Sequence, residues 1–446
     1  MLVFLGFAFT ILFGFLISIQ ISKDLNLFER FGLSYPLGIG ILTFLMFILS
    51  WAGVSISLIN YSLILLFGMG MLLVVRWKTI RKTLGYIIKN IKISKISLLD
   101  KILIFSIASL AGYSVFVALY SPVVDWDSLV LYDFRAKVFL NAKYLADVLH
   151  NWGYFWGYPL LTSLGHLWVY LLGGKSPVFI YPLFYISFIS IFYGILRRHS
   201  SRTISLIAAL LLASNPLIFY QSMIAYTNIP YTLYIVCGAI YIFLWAKESN
   251  SAYLVLGALL TGLSTWTRSV EPFWLTNLIF VLVYSLYKKR FYSLVLYPLV
   301  FLSIQFPWRI FQKILVHVPY TTEQIGMSAS FLLKNIDIGR VGKVFSYLYS
   351  SVFASWGFNA ILFILVVFIN IFYNRWKWPL EFLAIIFANL LLLFLGTYIF
   401  SFDTGTWILI PDSAKRMSMF FIPMFYFYIF SGQVFGKFWG GKQNPK

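Results

Sequence analysis

The chain has 446 residues, of which 61% are hydrophobic and only 11% charged, with a mean hydropathy of +0.86 and a formal charge of +20. Soluble domains carry about a quarter charged residues, so this composition excludes a soluble globular protein and leaves an all-α polytopic membrane protein. A single cysteine, Cys237, excludes an internal disulfide or a cysteine-based metal cluster.

In chain order, apolar stretches suited to crossing about 30 Å of hydrocarbon fall at 2–20, 34–54, 58–75, 102–120, 176–196, 203–220, 229–246, 252–267, 272–288, 291–312, 347–373, 379–400 and 417–436, thirteen candidate spans. The first has no basic n-region and no small-residue cleavage site, and reads as a span rather than a signal peptide. Residues 1–101, three spans and a basic loop, read as an N-terminal module ahead of a core at 102–446. Long outer connections lie at 121–175 and 313–346, the latter long enough to be functional rather than a simple turn.

Basic residues assign the sides, because short cytoplasmic loops retain Lys and Arg. The loop RWKTIRKTLGYIIKNIKISKISLLDK carries eight of them. With RRHSSR (197–202), KKR (288–290), NRWK (374–377) and the final tail on the same side, that side holds 22 Lys and Arg against five acids, and the other 12 against nine. The partition puts the N-terminus outside and the C-terminus in the cytoplasm of a multi-pass protein of the cell membrane. It requires GYPLLTSLGHLWVYLLGG (157–174) to enter the bilayer and return, as a kinked or re-entrant helix packed on protein. The positive charge is then an orientation signal supported by anionic membrane lipid, with no nucleic-acid partner.

The 14 acids fall in or beside loops and nine of them face outward. A coupled carrier places ionisable groups along its path through the membrane, so this distribution points to chemistry at the outer interface. Asp125, Asp127 and Asp133 cluster in SPVVDWDSLVLYDFRAKVFL (121–140). From Ser128 to Leu145, Leu129, Tyr132, Ala136 and Phe139 have helical spacing, with Asp133, Arg135, Lys137 and Lys143 elsewhere around the turn. That describes an amphipathic helix in the interface plane, with Asp133 on its polar face. Two readings stay open. Either Asp127 caps that helix and Asp125 is solvated, or one of the two is a general base, with Trp126, Trp152, Trp156 and Tyr158 excluding water.

Three further constellations lie outside. In ASNPLIFYQSMIAYTNIPYTLY, Asn228 precedes a span, as its cap or as a polar contact. TWTRSVEPFW places Arg268 and Glu271 three apart on one helical face, where they either neutralise one another or bind a ligand. DSAKRMSMFFIPMFYFY puts Lys415 and Arg416 at the mouth of the last span, against the charge rule, where they either snorkel or bind an anion. His150, His166 and His317 lack metal-ligand spacing, and His166 on the re-entrant stretch reads as a buried, hydrogen-bonded residue.

The order of W-D-x-x-x-x-Y-x-x-x-A-K (126–137), Y-P-L-L (158–161), N-P (215–216) with the polar Asn228, R-x-x-E (268–271) and R-M before an apolar run reaching Pro423 resembles the C-type (GT-C) glycosyltransferases. The protein-mannosyltransferase and aminoarabinose-transferase-like branch is the nearer match, over roughly residues 102 to 436. The resemblance implies a GT-C-like fold with interfacial helices in the first large outer loop, a polyprenyl-phosphate-sugar donor, an outer-face site and inversion. Asp127 or Asp125 matches the general base, although the usual acidic pair is adjacent and here reads D-W-D-S. Arg416, Lys415 and Arg268 match donor-phosphate ligands, and Asn228 stands where an Asp is common. Asn228, Glu271, Trp126, Tyr132 and His166 are the sugar or acceptor contacts so implied. Some members bind a divalent cation, Mg or Mn, and others do not. The acceptor is a hydroxyl of a glycan, a lipid or a protein. The rivals are a transporter or flippase for a lipid-linked saccharide, for which an ATP motif and mid-membrane charge are missing, and a non-catalytic assembly subunit.

Overall fold

A computed structural model describes residues 1–90, 96–149, 153–268, 272–316, 336–372, 380–403 and 411–432, and all regular structure among them is helical. In chain order the helices are α1 (Leu2–Ile21), α2 (Leu27–Trp51), α3 (Leu58–Asn90), α4 (Leu98–Tyr120), α5 (Asp133–Asn141), α6 (Gly153–Gly157), α7 (Leu161–Leu171), α8 (Ile180–Leu196), α9 (Arg202–Ser214) and α10 (Pro216–Gln221). They continue with α11 (Asn228–Glu248), α12 (Ser251–Thr267), α13 (Trp274–Tyr287), α14 (Tyr292–Ile310), α15 (Ile338–Tyr347), α16 (Phe358–Phe372), α17 (Leu380–Asp403), α18 (Pro411–Met417) and α19 (Phe421–Ser431). Among the described residues seven are long and apolar enough to cross a membrane: α1, α2, α3, α4, α11, α14 and α17. An eighth is gained if the segment from α15 to Trp356 and α16, bent by 91° at Gly357, make one span. The α8, α9 and α13 helices are apolar but shorter.

The stretch 203–220, continuous by hydropathy, is broken at Asn215. Its side chain accepts the Ile218 N–H and so caps α10, which Pro216 opens at its first position. The α2 start has the reciprocal device: Asn26 accepts from Glu29 N–H, and the Glu29 carboxylate accepts from Asn26 N–H.

At the centre of the bundle lies α11, buried from Asn228 to Ala246 and packed against α12, α8 and α13. By contrast α3 and α4 are mostly exposed, presenting residues such as Phe67, Val74 and Phe105 outward. The hydrophobic core runs without a break from Phe7 to Phe430, and α1 and α2 belong to it. Their crossing is closed by two glycines. A Cβ on Gly14 would lie 1.8 Å from the Ser34 carbonyl oxygen and one on Gly38 2.0 Å from that of Thr10. Where apolar surface alone gives helices little reason to associate in lipid, such close backbone approach supplies the packing.

The basic-side loops meet at one end. Glu29, fully buried, accepts from both Nε and Nη2 of Arg198 and from the Tyr241 hydroxyl. Arg198 also donates to the Asp24 carbonyl, Asn250 donates to the Asp24 carboxylate, and Lys247 pairs with Glu381 at 2.8 Å. At the other end Leu145 N–H reaches Ser50, Gln312 donates to the Trp156 carbonyl, and Ser176 donates to the Ser121 carbonyl that follows α4. The chain therefore enters and leaves α7 at this second end. With 11 residues, α7 is about 16 Å long, half the hydrocarbon thickness, and it is almost wholly buried in protein.

Candidate active site

The polypeptide leaves α4 at Ser121 and turns at Asp125, whose carbonyl accepts the Leu129 N–H at 2.9 Å. Ser128 to Tyr132 form a π turn that runs into α5. Such turns are rare and frequently accompany functional sites. The turn begins with Asp127 already in helical conformation (φ −62°, ψ −31°), and its carboxylate does not cap the helix. It pairs instead with Arg416 of α18, Nη1 to Oδ2 at 3.0 Å. The cap reading of Asp127 is thus replaced by an ion pair.

Around that pair the segment Ala225–Asn228, between α10 and α11, acts as a common anchor. The Ala225 carbonyl accepts from the Ser128 hydroxyl at 2.7 Å. The Tyr226 hydroxyl accepts the Asp127 N–H at 3.4 Å, and its ring lies under the Arg416 guanidinium, 4.8 Å from the centroid. Thr227 Oγ1 stands 3.3 Å from the Tyr132 hydroxyl and accepts from Arg268 Nη1 at 3.4 Å. Asn228 opens α11 and, with Tyr231, Arg268, Arg416 and Met417, lines a narrow crevice. Four separate parts of the chain thus converge on one spot.

Burial pushes the Asp125 carboxyl above the ordinary carboxylate range, Arg416 partly offsetting this and Asp127 adding to it. Burial also raises the Tyr132 and Tyr226 phenols, so both stay protonated at neutral pH. For Tyr132 the nearby Arg268 works in the opposite direction.

Arg268 itself is not helical. The α12 helix stops at Thr267, Arg268 is extended (φ −145°, ψ 126°), and this conformation carries its side chain to Thr227. Glu271 lies outside the described residues, as do His150, Trp152, His317 and most of the 313–346 connection. Trp126 is 74% exposed and does not line the crevice. Lys415 is half-buried beside Arg416 but does not line it.

Asp133 and Arg135 correct the amphipathic picture. Both are buried, and the interfacial helix is a π turn followed by the nine residues of α5. Arg135 donates to the Ser163 hydroxyl and to the carbonyls of Phe155, Tyr158 and Pro159, tying α5 to the segment that leads into α7. Asp133 accepts from Tyr170, pairs with Lys137 at 2.8 Å, and stands 3.2 Å from His166 Nδ1. His166 Nε2 lies 2.8 Å from the Tyr181 hydroxyl. With both ring nitrogens engaged inside the protein, His166 is a packing residue rather than a sugar contact. Burial would raise the Asp133 carboxyl, but the bonds from His166, Lys137 and Tyr170 outweigh it and bring it down to about 2.

Ser128, Tyr226, Thr227 and Tyr231 escaped the reading of the sequence. The one signal for Tyr226, Thr227 and Tyr231 was their nearness to Asn228 in AYTNIPY, and for Ser128 its place next to Asp127. One oxygen of Asp127 is committed to Arg416, and among the described residues no group of three or more His, Cys, Asp or Glu side chains comes together. Comparison with family models, with curated proteins and with solved structures finds no match for this chain.

Proposed function

We propose that the chain is a C-type membrane glycosyltransferase that moves a sugar from a single-tailed polyprenyl-phosphate donor to an acceptor hydroxyl at the outer face of the cell membrane. The observation that carries this reading is the crevice itself, where Arg416, Arg268 and Asn228 converge beside the Asp127 carboxylate. Two guanidinium groups suit a phosphate. A carboxylate alongside suits a proton acceptor. The charge partition puts this end outside. In this reading α7 is re-entrant, and α8, α9, α12, α13, α16 and α19 join the seven long helices in a bundle of about 13 spans.

The donor phosphate takes Arg416 and Arg268, and its bidentate claim on a guanidinium outcompetes the single bond to Asp127. Asp127 is then available to accept the proton of the acceptor hydroxyl. The acceptor oxygen bonds to the anomeric carbon as the carbon–oxygen bond to phosphate breaks, and that electron pair leaves with the polyprenyl phosphate. One displacement inverts the anomeric centre. The guanidinium groups stabilise the growing phosphate charge where water is scarce, and no step runs through a metal. Asn228 and Tyr231 offer hydrogen bonds to sugar hydroxyls without serving as bases. Asp125, its carboxyl pushed up by burial, is the second candidate base, since a higher pKa makes a stronger proton acceptor. A glycan, lipid or protein hydroxyl satisfies the same chemistry.

Paired substitutions test the assignment. Asp127→Asn abolishes transfer and leaves donor binding intact, whereas Arg416→Ala weakens donor binding. Full activity in both Asp127→Asn and Asp125→Asn rules out the general-base role.

A further inference from the structure

We propose that Tyr226 is the positioning residue of this site, holding the general base and the phosphate-binding cation in fixed register through two different parts of one side chain. The proposal rests on the glycosyltransferase reading and assigns a role that neither reacting partner fills. Its hydroxyl holds the backbone of Asp127 and its ring holds the guanidinium of Arg416. Tyr226 is itself fixed: its N–H donates to the Ile224 carbonyl at 2.9 Å, and the flanking Ala225 and Thr227 are bound by Ser128 and by Tyr132 with Arg268. The phenol therefore sits on a tethered turn rather than on a free loop.

The need for such a residue follows from the ion pair. Asp127 and Arg416 hold each other at 3.0 Å. A donor phosphate that draws on Arg416 removes that mutual restraint at the moment both groups must be in place. The aromatic face keeps the guanidinium from swinging away, a contact worth on the order of a fivefold change in affinity. The hydroxyl keeps the Asp127 backbone where the acceptor proton will arrive. At 3.4 Å the bond is long, and its loss is expected to cost about threefold.

The two contacts separate by experiment. Full-length wild type, Tyr226→Phe, Tyr226→Leu and Tyr226→Trp are purified in detergent, their melting temperatures are compared, and binding of a short-chain isoprenyl phosphate is measured together with steady-state transfer. Tyr226→Phe is expected to bind the phosphate like wild type and to lose about threefold in kcat at unchanged donor KM. Tyr226→Leu is expected to bind about fivefold more weakly, with Tyr226→Trp recovering the affinity. A folded Tyr226→Leu that binds like wild type overturns the proposal alone, as does a Tyr226→Phe whose donor affinity falls, a comparison that decides the matter even where Tyr226→Leu fails to fold. Wild-type protein that binds no isoprenyl phosphate overturns the glycosyltransferase reading, and the proposal with it.

Discussion

Asp127 and Arg416 stand 289 positions apart in the chain and meet at 3.0 Å. One follows the end of α4 and the other closes α18, so the contact draws the two ends of the long C-terminal part of the chain onto the start of α11. The pair is half-buried, with 33% of the Asp127 side chain and 16% of the Arg416 side chain exposed. In the proposed reaction the donor phosphate competes with the Asp127 carboxylate for this guanidinium.

Arg416→Lys keeps the charge but loses the planar fork and the stacking on Tyr226. Donor affinity is expected to fall about tenfold, with kcat at saturating donor much less affected. Titration with an isoprenyl phosphate checks this. A lysine variant that binds as tightly as wild type would mean the guanidinium geometry is immaterial.

Asp125→Asn separates the two carboxylates. With Asp127 as the base, this substitution is expected to leave single-turnover transfer within about tenfold of wild type, while Asp127→Asn loses a hundredfold or more. The reverse order of losses would assign the base to Asp125.

The pH dependence of stability reports on Asp133. Its folded carboxyl, at about 2, lies below the ordinary value near 3.9, so the unfolded chain binds the proton more readily. The stabilisation it contributes is complete above about pH 4 and is lost as pH falls toward 2. Melting temperature measured from pH 5 to 3 should drop for wild type and change less for Asp133→Asn. Asp133→Ala, which leaves Lys137, Tyr170 and His166 without their acceptor, is expected to cost about 3 kcal/mol at neutral pH. Equal pH slopes for wild type and Asp133→Asn would contradict the assignment.

Gly14→Ala tests the α1–α2 crossing. The added Cβ meets backbone rather than a flexible side chain, so the helices must separate, at an expected cost of about 2 kcal/mol or more. Gly70→Ala in α3, where nothing lies within 4 Å, is the control and should be neutral or slightly stabilising. Thermal denaturation in detergent compares the two.

The helices were legible because hydropathy depends only on local composition, and the long apolar runs became α1, α3, α4, α11 and α17. Asn215 and Pro216 carried the signal for the break after α9, but the surrounding apolar run concealed it. Asp133 and Arg135 were misread because an amphipathic pattern takes charge to mean solvent. Here the second surface was α7 and its approach, whose Ser163, His166 and carbonyl oxygens supply the polar partners that water would otherwise provide. Arg268 was assigned to a helical face because nothing local shows α12 ending at Thr267. Arg416 and Asp127 were each singled out by position, yet their contact could not be read from spacing, because a pairing across most of the chain depends on how the bundle closes. Tyr226 was passed over because one tyrosine among 30 carries no mark of its own.

The central claim is transfer from a polyprenyl phosphate. Purified full-length protein incubated with a panel of polyprenyl-phosphate sugars and hydroxyl acceptors should release free polyprenyl phosphate from at least one donor, with release lost in Asp127→Asn. No release from any donor, or release undiminished when Asp127 and Asp125 are both replaced by Asn, would contradict it.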